Sequence, residues 1–317
     1  MENKSYITEK VIFMSTDSQS TVFGYICTPL NNEIKGIIQI CHGMCEYFLN
    51  YENLINYFTL KGFAVCGHDH LGHGETANNK VLGYFGEKNG YNYLAGDVFG
   101  FYKILKERFP IKPFIFFGHS MGSFIGRYFL VKYKNKLNFS CAIICGTSGK
   151  NPLTKIAKKI AKIRIYTTKK QSADKFLDFL AFKPYNKNIE NSQSNFSWLS
   201  RDEDVGKAYE KNKKRNFIFT SEGFLDLFIL LDKINSNWWF ENFDKNLPVL
   251  ITSGDKDPVG NYGKGVTEVF DKLKNTGVDS VSLLLFKNAR HEPHNEINKN
   301  EVFNSWYNWI SKINSRK

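Results

Sequence analysis

One segment constrains this chain more than any other: Pro113-Phe114-Ile115-Phe116-Phe117-Gly118-His119-Ser120-Met121-Gly122-Ser123-Phe124-Ile125-Gly126. An apolar, β-branched and aromatic run leads into Gly-His-Ser-Met-Gly, and a helical pattern follows. A serine on so sharp a strand-to-helix turn crowds its neighbours, so small residues two before and two after it, Gly118 and Gly122, are needed for the chain to pass. That context predicts a nucleophilic Ser120 projecting from the end of a sheet. A glycine-flanked turn with an idle serine is the plainer alternative.

The rest of the chain supplies a sheet for that turn. Short apolar runs at 10–16, 21–28, 36–41, 63–67, 113–118, 141–146, 248–253 and 280–286 predict strands. Several are apolar throughout, as expected of strands covered on both faces. Helical patterns lie between them at 46–60, 93–108, 122–134, 263–275 and 299–312. The first two strands have no helix between them, which predicts an antiparallel hairpin before an open, mostly parallel, eight-stranded α/β sheet.

From about residue 150 to 245 no strand is evident, and structureless loops of that length are uncommon. Helical patterns at 153–165, 173–182 and 223–234, with an Asn/Ser-rich surface loop at 186–195, predict an inserted helical cap. The expected organisation is a catalytic core of residues 1–147 and 246–317 with a cap of residues 148–245. No internal repeat interrupts it.

A serine hydroxyl needs a general base, itself oriented by an acid. For a nucleophile on such a turn the chain order is serine, acid, histidine. Of the seven histidines only His291 and His294 follow Ser120 at a distance. His291 is preferred because it comes soon after the last strand, and His294 is the fallback. The strand at 248–253 runs into Gly254-Asp255-Lys256-Asp257-Pro258-Val259. Asp257 is preferred as the acid, since Asp255 abuts the glycine turn and is placed to cap it.

An oxyanion requires donors as well, each contributing about 3 kcal/mol when well placed. The amide of Met121 is one. The second is expected from the loop after the third strand, His42-Gly43-Met44-Cys45-Glu46-Tyr47, which makes the Met44 amide the candidate. His42, Gly43, Gly118, His119 and Gly122 are expected to support these loops. A further segment, Gly67-His68-Asp69-His70-Leu71-Gly72-His73-Gly74, concentrates three histidines. It reads better as a glycine-rich loop with internal hydrogen bonds than as a metal site, because no recognisable ligand set completes it.

Taken together, these motifs resemble the α/β-hydrolase superfamily, and within it the monoacylglycerol lipase and lysophospholipase group that includes serine aminopeptidase-like members. The resemblance spans nearly the whole chain. His42–Glu46 is similar to that group's HGxGE loop with Tyr51 in register, and Asp69–Gly74 to its DxxGHG loop. Gly118–Gly122 is similar to its GHSMG elbow, Gly254–Val259 to its GxxDxV loop, and Ala289–Glu292 to its ARHE loop. The stretches 198–202 and 217–223 resemble the cap of bacterial members. Two departures stand out: Cys45 replaces the second glycine of HGxG, and Tyr47 stands where histidine is common. The resemblance implies hydrolysis of a carboxylic ester with a medium or long acyl chain and no metal or organic cofactor. The cap aromatics Phe176, Phe179, Phe182, Trp198, Phe217, Phe219, Phe224 and Phe228 are candidates to line an acyl tunnel. Peptidase, thioesterase or small-ester activity on the same scaffold is the alternative, and a non-catalytic binding protein a weaker one.

Composition bears on partners. The formal charge is +12, but nearly all of the excess is lysine. The arginines are Arg108, Arg127, Arg164, Arg201, Arg215, Arg290 and Arg316, too few for a surface that reads phosphates or bases, so nucleic acid is not an expected partner. The basic amphipathic stretch with Lys155, Lys158, Lys159, Lys162 and Arg164 beside Ile156, Ile160, Ile163 and Ile165 suggests peripheral contact with an anionic membrane. Cys27, Cys41, Cys45, Cys66, Cys141 and Cys145 sit mostly in apolar runs and are expected to be buried thiols. Residues 1–10 lack the apolar stretch of a secretory signal, so a cytoplasmic location is expected.

Overall fold

The computed structural model describes residues 5–30, 33–77, 80–190 and 192–315. Residues 1–4 of the segment read for a leader, Asn191 of the expected surface loop, and Arg316 lie outside the described residues.

Eight strands form one sheet: β1 Tyr6–Met14, β2 Thr21–Pro29, β3 Gly36–Cys41, β4 Phe63–His68, β5 Phe114–His119, β6 Cys141–Cys145, β7 Val249–Gly254 and β8 Val281–Phe286. Their spatial order is β1-β2-β4-β3-β5-β6-β7-β8. The expected hairpin is present, β1 and β2 pairing antiparallel from Tyr6↔Pro29 to Met14↔Thr21. β2 is also antiparallel to β4, and every pair beyond it is parallel.

Every residue of β3, β4, β5, β6 and β7 is buried, because alternate side chains enter two different cores. Ile115 and Phe117 of β5 face one way, where they join Leu54, Ile55 and Phe58 of α1 (Glu52–Leu60) and Val302, Phe303, Trp306 and Ile310 of α10 (Lys299–Asn314). Phe114 and Phe116 face the other way, towards α2 (Gly90–Arg108), α3 (Met121–Lys132) and α9 (Lys264–Asn275).

Between β6 and β7 the chain is helical: α4 Leu153–Thr167, α5 Lys175–Phe182, α6 Glu203–Lys211, α7 Ser221–Ile234 and α8 Asn237–Asn242. The three helices expected there are present, while α6 and α8 were not anticipated. α7 is the structural link, packing against α4 on one side and α2 and α3 on the other. One expected helix is divided. Residues 46–60 open as a loop and a 3-10 turn, Phe48–Tyr51, before α1 begins, because Glu46 and Tyr51 turn inwards to meet His119. All six cysteines are buried.

Candidate active site

Because β3, β5, β6, β7 and β8 are parallel, the loops leaving their carboxyl ends gather at one edge of the sheet. β5 delivers Ser120 there in a strained backbone conformation, φ 51° and ψ −125°. The flanking glycines are required by contact. A Cβ on Gly122 would lie 2.0 Å from the Cys41 carbonyl oxygen, and one on Gly118 2.7 Å from that of Gly122. Ser120 then caps α3, whose first amide belongs to Met121, and unsatisfied amides at a helix start favour a negative charge.

The structure brings Ser120, His291 and Asp257 into one chain of hydrogen bonds. Ser120 Oγ is 2.8 Å from His291 Nε2, and His291 Nδ1 is 2.9 Å from Asp257 Oδ1. Asp257 is fully buried and also accepts from the Ser253 hydroxyl at 2.6 Å and the Val259 amide at 2.9 Å. Burial alone would raise its pKa, but His291 and these donors more than offset that and hold it below the usual carboxylate value. The imidazole therefore presents Nδ1–H to Asp257 and leaves Nε2 to accept from Ser120.

The alternatives take other places. Asp255 accepts the Asn288 amide at 2.8 Å and so braces the loop after β8. His294 lies behind the site, stacked on Tyr51 at 4.8 Å and edge-on to His119 at 4.6 Å.

The loop after β3 is locked from beneath. The His70 amide donates to His42 Nε2 at 3.0 Å, so the His42 proton sits on Nδ1 and is donated to the Gly43 carbonyl at 2.8 Å. Burial keeps His42 neutral, its pKa well below the ordinary value. Gly43 in turn gives its amide to Glu46 Oε2 at 2.8 Å, which leaves Met44, on the cavity wall with Met121, as the next amide of the loop. Cys45 holds a left-handed conformation, φ 55°, where glycine would be unstrained.

His119, beside Ser120, is part of a buried polar cluster. Glu46 Oε2 accepts from Tyr51 O–H at 2.7 Å and lies 3.5 Å from His119 Nδ1. His119 Nδ1 is 3.0 Å from the Tyr51 oxygen, and its Nε2 is 3.1 Å from the His291 carbonyl. Burial disfavours a charge on His119, yet the Glu46 carboxylate outweighs it and raises the pKa. A protonated His119 donates at both nitrogens and fixes the backbone of His291.

Among the described residues, Glu46, His119 and His294 are the one His/Cys/Asp/Glu group compact enough for a metal ion, with ligand atoms within 4.8 Å. Glu46 and His119 are already engaged with each other and with Tyr51, so the group is better satisfied by protons. His68, His70 and His73 do not form such a group. Burial depresses all three, His68 to about 3 and His73 to about 4. The loop is held instead by Asp69, which accepts the Phe48 and Glu75 amides at 2.9 and 2.8 Å.

Ser120, His291, Met44 and Met121 open onto a cavity of about 1360 Å³. Of the aromatics expected along it, Phe179, Phe182, Trp198, Phe217 and Phe228 line the wall. Phe219 and Phe224 do not, being fully buried in the core beneath. Phe176 turns outwards, 48% exposed under the Arg164 guanidinium. Sequence reasoning missed Arg215, which faces Glu46 and Glu292 at 3.7 and 3.5 Å. Its one signal was being among the few arginines of a lysine-rich chain.

Comparisons with known proteins show the family. A family model described as serine aminopeptidase, S33, matches residues 32–298. The monoglyceride lipase of Saccharomyces cerevisiae is 26% identical over 305 residues, 92% of this chain and 90% of that protein. A highly thermostable carboxyl esterase from Bacillus coagulans is 30% identical with a TM-score of 0.88, covering 97% of this chain and 98% of that one. The structure of a soluble variant of the yeast lipase superposes with a TM-score of 0.78 at 20% identity, over 98% and 97% of the two chains, and shows the shared fold. The chain therefore belongs to the serine aminopeptidase S33 family, in the monoacylglycerol lipase-like group of the α/β-hydrolases, and is a serine hydrolase of carboxylic esters.

Proposed function

We propose that the protein hydrolyses lipid esters, with monoacylglycerols as the favoured substrate and lysophospholipids as the nearest alternative, through an acyl-enzyme on Ser120. The observation that carries the reading is the continuous bond chain from Ser120 Oγ through His291 to Asp257, opening directly onto a large, mainly apolar cavity. His291 takes the Ser120 proton as Oγ attacks the ester carbonyl, then delivers it to the leaving alcohol. Asp257 holds the imidazole in the required tautomer and stabilises the imidazolium. The amides of Met121 and Met44 receive the oxyanion. Water then repeats the sequence on the acyl-enzyme. We assign residues 148–245 to an inserted cap and the remainder to the core. The yeast relative is a monoglyceride lipase, which supports an acylglycerol.

Turnover of monoacylglycerols, lysophospholipids and aminoacyl substrates, with p-nitrophenyl esters of graded chain length, tests the reading. Monoacylglycerol is expected to lead, and Ser120→Ala to abolish turnover and fluorophosphonate labelling. Faster release of amino acids than of fatty acids would establish the peptidase alternative.

Membrane contact belongs to the same proposal. No described helix is long and apolar enough to cross a membrane. α4, however, exposes Ile156, Ile163 and Tyr166 at 55%, 64% and 89%, on a helix that also carries exposed Lys155, Lys159 and Lys162. That combination suits the surface of an anionic bilayer. Salt-sensitive co-sedimentation with anionic liposomes is the expected result.

A further inference from the structure

Four consecutive residues of the loop after β3 are each held by the last turn of α6 or by the short stretch that joins it to α7. The Tyr209 hydroxyl donates to the Met44 carbonyl at 3.2 Å. The Cys45 thiol donates to the Phe217 carbonyl at 3.1 Å. Arg215 Nη2 faces Glu46 Oε1 at 3.7 Å. The Asn212 side-chain amide donates to the Tyr47 oxygen at 3.2 Å.

Arg215 differs from the other three because it also reaches a second loop. The same Nη2 lies 3.5 Å from Glu292 Oε1, and Glu292 follows His291. Its guanidinium rests over the Tyr209 ring at 4.3 Å, so the residue gripping Met44 also supports the cation. Arg215, Glu46 and Glu292 are 8%, 2% and 1% exposed. Two carboxylates buried side by side repel each other strongly unless a cation lies between them. The charge on Arg215 thus favours the approach of the two loops that carry Met44 and His291.

We propose that Arg215 is a positioning residue, a cation supplied by the segment over the site that sets the spacing between the oxyanion loop and the base loop. The proposal rests on the roles given above to Ser120, His291 and Met44. On this reading the segment between α6 and α7 helps to build the transition-state site as well as to cover it. Displacement of donors or base by about 1 Å costs on the order of 100-fold in rate with little change in ground-state binding.

The test is steady-state kinetics of Arg215→Met and Arg215→Lys on a short soluble p-nitrophenyl ester, with Ser120→Ala as control. Arg215→Met is expected to lose about 100-fold in kcat with KM within about three-fold, and Arg215→Lys to recover about tenfold by restoring the charge without the fork. Unchanged kcat, a loss confined to KM, or a lysine variant as slow as the methionine one would overturn the proposal. If Arg215→Met does not fold, Arg215→Lys alone carries the test, since it keeps the charge and loses the fork: a kcat about tenfold below the parent at constant KM is expected, and an unchanged kcat would overturn the proposal. Turnover surviving in Ser120→Ala would instead remove the underlying functional reading. Full activity in the Arg215 variants with a dead Ser120→Ala would leave that reading intact and remove only the role of Arg215.

Discussion

Two helices show how differently the two halves of the site are built. α3, which begins directly after Ser120, buries eleven of its twelve residues, from Met121 to Val131. α4, over the cavity, has fifteen residues and buries only Ala161. The first is held by close packing on β5, where even a methyl group has no room. The second is held along one edge by α7 and by two ion pairs, Lys158 with Asp232 and Arg164 with Asp174 at 2.5 Å. The lesson is that the proposed reacting groups stand on the part that tolerates no change of shape. The proposed substrate-facing surface stands on the part that does.

Substitutions can break or sharpen that contrast, the largest effect lying at its centre. Ser120→Ala is expected to lower ester hydrolysis by about 10⁶-fold with the fold intact, read by p-nitrophenyl ester assay and circular dichroism. Gly122→Ala comes next. Its Cβ would meet backbone that cannot yield, and we expect a loss of about 3 kcal/mol or more in urea unfolding. Gly206→Ala in α6 is the matched control. There the new Cβ meets the movable Ser194 side chain at 3.1 Å, and stability is expected to stay within about 1 kcal/mol.

Acid sensitivity is a third point of difference, because the buried histidines lie under the core loops. His68 is packed against Phe13 and Phe101, and burial lowers its pKa to about 3. An unfolded histidine titrates near 6.5, so the folded state binds the proton less tightly. The associated stability is complete above about pH 6.5 and is lost as pH falls towards 3. His68→Phe is therefore expected to shed about 2 kcal/mol less than the parent between pH 7 and pH 5 in urea titrations. Equal losses would show that His68 does not carry this term. The smallest structural effect is expected on α4, where Ile156→Asp with Ile163→Asp changes stability by about 0.5 kcal/mol or less. Hydrolysis of emulsified ester is expected to fall while that of a soluble short ester holds, measured in parallel.

Legibility in the sequence follows the same division. The strands were readable because continuous apolar runs bounded by glycine and polar turns admit few other structures, and all but the first lie within one residue of the expected span; β1 runs over Tyr6–Met14 where 10–16 was expected. The order of those strands was not, since nothing local in Phe63–His68 says that β4 enters between β2 and β3. Ser120, Asp257 and His291 were legible from turn chemistry and chain order, and the structure places them within hydrogen-bond reach. The α6 helix was missed because it is only nine residues long and mostly charged, and its fully buried residues are Gly206 and Tyr209. The ring of Glu46, Tyr51, His119, Arg215 and Glu292 was hidden for a different reason. Glu46 and Tyr51 follow β3, His119 ends β5, Arg215 lies between α6 and α7 and Glu292 follows β8, and charged residues in a basic chain look like solvated surface until the fold removes the water.

The backbone at Ser120 has a consequence for how such a chain can be improved. At φ 51° and ψ −125° it occupies a region comfortable only for glycine, at a cost on the order of 1 kcal/mol or more. Ser120→Gly would relax it, and a screen for heat resistance alone would reward that change while discarding the proposed nucleophile. Thermostabilisation of this chain must therefore be selected under turnover, or the melting temperature will rise by dismantling the catalyst.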